Sequence, residues 1–285
     1  ERLALGDRLD TAERLDAWNM TLWTEVLLGR LEEAAEAAVG ARAGLASGQG
    51  EGWVAHATAW RISALYWLGR WDEIGPEADR LERAWRQSEI RAPWFALHGL
   101  LLALAVAQAR GDMTAAVHWR EAATTIFRRS DPGVRSRRME SWLTGDLEAL
   151  ERDVVRDWRV FTGRTDYVAL ALAAMADRAH RADVGVIDTI VAHSEDRSTL
   201  LVSSQARRLR GIVRADEADL ASALDSFERM RARPFVARVR TELGALRGDP
   251  AMVEAGLAEL EALGDLEQAT RVAARGAPQG GPATI

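Results

Sequence analysis

Residues 60 to 85 read WRISALYWLGRWDEIGPEADRLERAW, and the fold follows from how this stretch divides. Upstream of Leu68-Gly69-Arg70, Trp53, Trp60 and Trp67 recur every seven residues with Ala57 and Ala64 between them, so they share one side of a helix. Ile62, Leu65 and Leu68 draw a second apolar line beside the first, so this helix must be covered from more than one direction. Gly69 can end it, because a residue without Cβ enters the left-handed region at little cost. Asp72 and Glu73 then fall in the first turn of a second helix, where carboxylates oppose the positive end of the helix dipole, and Leu81 and Trp85 carry its apolar face. The stretch is a helical hairpin with a tight turn.

The same turn recurs along the chain. It stands as Leu28-Gly29-Arg30-Leu31-Glu32-Glu33-Ala34, as Arg110-Gly111-Asp112-Met113, as Thr144-Gly145-Asp146-Leu147-Glu148 and as Arg247-Gly248-Asp249-Pro250. In the last three the Asp can cap the second helix, and Pro250 suits a first helical turn. Arg214-Ala215-Asp216-Glu217 reads as a degenerate copy that has lost its Gly. The steps are 40 (29 to 69), 42 (69 to 111), 34 (111 to 145) and 33 (215 to 248), and the step of 70 from 145 to 215 predicts a hidden turn near Asp183. Periods of this size built from two helices mark an α-solenoid, here an all-α right-handed superhelix over residues 1–275 with about seven antiparallel hairpins. Gly276 to Ile285 reads as a disordered tail.

Within this frame, Thr11 to Leu28, the Trp60 helix and a helix after Pro93 are the first helices of three early hairpins, called A helices here. Leu3 to Leu9 reads as the remnant of a preceding helix. Ala46 to Gly52 and Arg128 to Gly133 read as loops. The second loop opens an Arg-rich stretch through Arg138 that is either a solvated surface or a contact for an anionic partner. Later A helices are expected over Tyr167–His180, Leu200–Val213 and Phe235–Leu246, with Leu266–Ala274 closing the array.

At 48% hydrophobic and 28% charged, the chain has the composition of a folded protein, and it contains no Cys, which removes disulfides and thiolate metal sites. All 37 basic residues are Arg, so lysine Schiff-base chemistry and the lysine of a phosphate-binding loop are excluded. A formal charge of −6 argues against nucleic acid as a partner. The longest apolar run, Phe95 to Ala107, is too short to span a bilayer, and the first residues carry no leader pattern, so no membrane association and a cytoplasmic location are expected. The five His lack the i, i+4 spacing of a helical zinc site, and Ser203-Ser204 stands outside any nucleophile motif, so neither metal, cofactor nor catalysis is expected.

Leu68 to Ile74 and Leu28 to Ala34 resemble the turn of tetratricopeptide repeats. Ala232 to Gly244, ARPFVARVRTELG, resembles a segment near the end of the helical arms of actinobacterial adenylate or guanylate cyclases fused to an ATPase module, and of LuxR-type transcriptional activators. Those families carry their chemistry in other domains. The resemblance implies either a scaffold that binds a protein or peptide segment in a concave groove, or a ligand-sensing arm controlling a separate effector. It also implies that A helices line the concave face. Counting 13 residues back from Gly69 and Gly111 then places His56 and His98 at one level of that face, with Asn19 and Trp23 before them and Ser63 and Tyr66 beside them. A register shorter by one residue would instead bury Ser63 and Tyr66. All eleven Trp lie at or before Trp158, either filling wide gaps between long helices or lining the groove.

Overall fold

A turn that fixes the backbone in one or two residues leaves the flanking helices no freedom but to fold back on each other. In the computed structural model of the chain, which describes residues 10–43, 51–87, 94–129, 141, 144–157, 165–178, 183–196 and 199–276, every regular element among the described residues is helical. The α-helices are α1 (Thr11–Leu27), α2 (Leu31–Ala43), α3 (Glu51–Leu68), α4 (Ile74–Gln87), α5 (Trp94–Ala109), α6 (Met113–Arg129) and α7 (Leu147–Asp157). They continue as α8 (Thr165–Asp177), α9 (Val184–Asp196), α10 (Leu200–Arg214), α11 (Glu217–Arg229), α12 (Arg233–Arg247), α13 (Pro250–Leu263) and α14 (Leu266–Gly276). The remnant helix at residues 3–9, most of the two loops, the Arg-rich stretch beyond Arg129, Pro93, His180 and the tail after Gly276 lie outside the described residues.

The turns carry the geometry their sequences require. Gly29, Gly69, Gly111, Gly145 and Gly248 all have φ between 65° and 76°. Asp112, Asp146 and Asp249 each accept from the backbone N–H three residues on, at 3.0, 2.9 and 3.1 Å. At the degenerate copy Ala215 itself is left-handed (φ 52°), and Asp216 caps α11 through the Ala218 and Asp219 amides. Where the hidden turn is expected, residues 179–182 lie outside the described residues, and Asp183 after them caps α9, its carboxylate accepting from the Gly185 amide at 2.8 Å.

Three local expectations change. Asp72 and Glu73 lie not in α4 but in a single 3₁₀ turn, Trp71–Glu73, that leads into it. The Trp71 indole donates to the Tyr66 carbonyl at 3.0 Å, pulling the chain tight before the α-helix starts. Glu51 and Gly52 belong to α3, and Arg128 and Arg129 to α6, because helical hydrogen bonding runs past the end of the apolar pattern.

Several second helices pack on their own A helix and on the next one, as α2 against α1 and α3, α4 against α3 and α5, and α11 against α10 and α12. Helix α9 departs from this, packing on α10 rather than on α8, which meets α10 directly; A helices also meet as α1 with α3 and α3 with α5. Helix α3 is thereby covered by α1, α2, α4 and α5, and in addition by α12. That fifth neighbour belongs to a second set of contacts between the two ends of the chain: α1 meets α10, α3 meets α12 and α5 meets α14. The turn glycines form this seam. A Cβ on Gly29 would stand 2.5 Å from Met230, and one on Gly69 2.9 Å from Pro234 and Leu263, so bare backbone is needed there for contact as well as for φ. Arg110, beside Gly111, donates to the Leu263 carbonyl at 3.1 and 3.2 Å and pairs with Asp72 at 2.7 Å. The turn ends of the early A helices are closed by the later helices.

Candidate functional site

A second gathering of rings joins α1, α3 and α5. Trp60 is buried at the centre, with centroids 6.3 Å from Trp23, 6.2 Å from His56 and 5.9 Å from His98. His56 stacks on Phe95 at 4.2 Å and lies 6.5 Å from Trp53. The two histidines, matched by their distance from the turn glycines, therefore sit at one level against one indole. Trp18, Trp23, Trp53, His56 and Phe95 remain half-buried and form the exposed edge of this strip.

The polar groups of the strip are held by the helices that carry them. Asn19, itself buried, donates to the Leu15 carbonyl at 3.1 Å, while among the described residues its side-chain oxygen has no partner, and neither has the buried Trp23 indole N–H. Burial pulls the His56 imidazole down to about 4 despite the opposing field of Asp16, so it is neutral at physiological pH.

Ser63 and Tyr66 do not reach this edge. Ser63 is 0% exposed, with its hydroxyl unpartnered, and Tyr66 is 8% exposed at the seam, 6.4 Å from Phe235 of α12. Burial pushes the Tyr66 phenol up to about 12, against the pull of the neighbouring Arg238. Both side chains are interior, as the shorter register would have them.

Arg238 opens onto a second arrangement that sequence reading missed. It bridges Asp177 of α8 at 3.0 Å and Asp265, which precedes α14, at 2.6 Å. Arg208 of α10, 0% exposed, holds Asp177 and Glu242 at 2.6 Å each. Burial alone would raise the Asp177 carboxyl, but the two guanidiniums hold it below the usual range. Glu242 goes the other way: burial raises it, and Arg208 alone does not compensate. The signal was present in the sequence, since Arg208 sits among Leu201, Ala206 and Leu209, and Arg238 beside Phe235 and Val239, each on an apolar face.

Beside this network is a pocket of about 90 Å³ enclosed by both ends of the chain. Tyr66 and Trp71, stacked at 6.3 Å, wall one side, and α8, α12 and α14 close the other. Among the described residues no group of three or more His, Asp or Glu could hold a metal ion, and no helix is long and apolar enough to cross a membrane. No family model, no curated protein and no solved structure matches the chain.

Proposed function

We propose that this chain is a tetratricopeptide-like arm, a right-handed superhelix of about seven hairpins, that holds an extended or helical segment of another protein across the strip on α1, α3 and α5. It serves as a non-catalytic, cytoplasmic scaffold within a bacterial signalling or transcriptional regulator whose effector lies in another domain. The packing of α2, α4 and α11 each on two A helices supports the architecture. The binding reading rests on one observation: half-exposed rings from three consecutive A helices, Trp23, His56 and Phe95, gather at one edge around the buried Trp60 and its neighbours. Rings supply contact area at little entropic cost to a segment laid over them. Trp23 and His56 are the accessible members of the strip; Asn19 and His98 stand behind them.

The test is selection of peptides from a random display library against the whole chain, followed by affinity measurement on variants. Trp23→Leu and His56→Ala should each weaken an enriched peptide by about 1–2 kcal/mol while leaving the melting curve close to that of the parent. An absence of enrichment, or peptides indifferent to both changes, would put the site elsewhere. The central pocket favours a second reading, a ligand-sensing arm.

A further inference from the structure

The central pocket is lined by polar side chains with no hydrogen bond among the described residues, Gln108, Arg178 and Gln268. Gln268 of α14 is 3% exposed, and among the described residues its carboxamide makes no hydrogen bond, while its backbone N–H donates to Asp265. Arg178, at the end of α8, makes no side-chain hydrogen bond or salt bridge among the described residues, although its charge is felt by Asp177. The other charges around the space are already committed: Arg238 to Asp177 and Asp265, and Arg271 to Glu267. The Nε of Arg238 is buried without a partner as well. Opposite Arg178 and Gln268 the wall is mostly apolar, made by the Tyr66 and Trp71 rings and by Ala105, Val106 and Ala109, with Gln108 among them. The Trp71 ring is fixed in place by its bond to the Tyr66 carbonyl.

From this we infer that the pocket is a binding site for a small organic monocarboxylate with a flat or short apolar tail, held by Arg178 and Gln268 and stacked on Tyr66 and Trp71. The size agrees. About 90 Å³ of accessible space admits roughly six water-sized groups, enough for the tail and carboxylate of a small acid and too little for a nucleotide or a peptide. The charge also agrees, since Arg178, which has no salt bridge among the described residues, can pair with an anion, and the paired carboxylates repel a second one placed deeper. Because the walls come from α3, the 3₁₀ turn and α5 on one side and from α8, α12 and α14 on the other, a bound acid joins the two ends of the chain. It would favour their docked arrangement, which is what a sensor arm requires.

Benzoate and butyrate, titrated calorimetrically into the whole chain, are the probes, with benzamide as the neutral isostere of benzoate. Benzoate should bind one to one, and benzamide at least tenfold more weakly to the same unaltered protein. Arg178→Gln should weaken benzoate about tenfold and Gln268→Leu about threefold, while Arg120→Gln on the exposed face of α6 changes nothing. Saturating benzoate should raise the melting temperature of the parent and not that of Arg178→Gln. Equal binding of benzoate and benzamide, undiminished binding to Arg178→Gln, or no saturable binding of either acid below about 10 mM would each overturn the assignment. The benzamide comparison requires no variant, so a substitution that failed to fold would leave the proposal open to refutation.

Discussion

Phe235→Ala is the substitution that most directly asks whether the two ends of the chain are docked. Phe235 is fully buried, with its ring 4.7 Å from Trp67 and 6.4 Å from Tyr66 on α3, and 5.5 Å from Phe227 on α11. The Arg238 guanidinium lies 4.8 Å above it. Truncating a buried Phe costs about 3–5 kcal/mol, the higher end applying where the cavity cannot collapse. Here collapse is opposed on two sides. Trp67 is locked in the core of α3, and Arg238 is tethered to Asp177 and Asp265. A loss of about 4 kcal/mol is therefore expected in urea-unfolding free energy followed by circular dichroism. The part that belongs to the seam can be isolated by a double-mutant cycle with Trp67→Leu, for which ring-on-ring contact predicts a coupling of about 0.5–1.5 kcal/mol. Leu246→Ala, at an exposed position of the same helix, should stay within about 0.5 kcal/mol of the parent. A loss below about 1 kcal/mol, or additivity in the cycle, would mean that α12 does not pack on α3 in solution and that the pocket between them does not form.

Three further outcomes follow from particular side chains. Ala215→Gly should stabilise the chain by about 0.5–1 kcal/mol, since a left-handed L-residue costs about 1–2 kcal/mol and the added chain entropy of Gly returns only part of that; a higher urea midpoint at unchanged slope checks it. His56 is depressed to about 4 in the fold and titrates near 6.5 when unfolded, so its contribution is complete above pH 6.5 and is lost as pH falls from there through 4. The loss amounts to at most about 3 kcal/mol, and His56→Phe should remove that limb from the stability–pH curve. Arg208→Met strands Glu242 without its cation and leaves Asp177 to Arg238 alone, and should cost about 3–5 kcal/mol at pH 8. The cost should shrink at pH 5, because Glu242, already raised, takes up a proton; an equal cost at both pH values would refute the charge argument.

The hairpins were legible because each turn writes its requirement in one or two adjacent residues: a Gly that must be left-handed, then an Asp that caps. Where an L-residue takes the left-handed position, that signal fades. Ala215 was still found from the Asp after it, but Arg231, left-handed at φ 56° between α11 and α12, has no such neighbour and gives no sign in the sequence. The level shared by His56 and His98 was legible because both are measured from local turns. The seam was not, because nothing in the periodicity of α3 states which helix some 170 residues later will meet its turn end; Tyr66 was accordingly placed on an open face.

The seam also explains the uneven distribution of tryptophan. The described indoles fall into two groups: Trp60, Trp67, Trp71, Trp85 and Trp119 are buried, while Trp18, Trp23 and Trp53 are half-buried on α1 and α3. Two of the buried ones, Trp67 and Trp71, are packed by the later helices through Phe235 and by Arg110 from beside the third turn. The later A helices need no large rings of their own there, since they supply Phe235 and a pair of buried arginines to a wall the early helices have already built. Gap filling therefore accounts for rings at the seam, and it leaves the half-buried rings of α1 and α3 unaccounted for. Those three are the part of the aromatic asymmetry that packing does not consume, which is why the proposed docking strip is placed there.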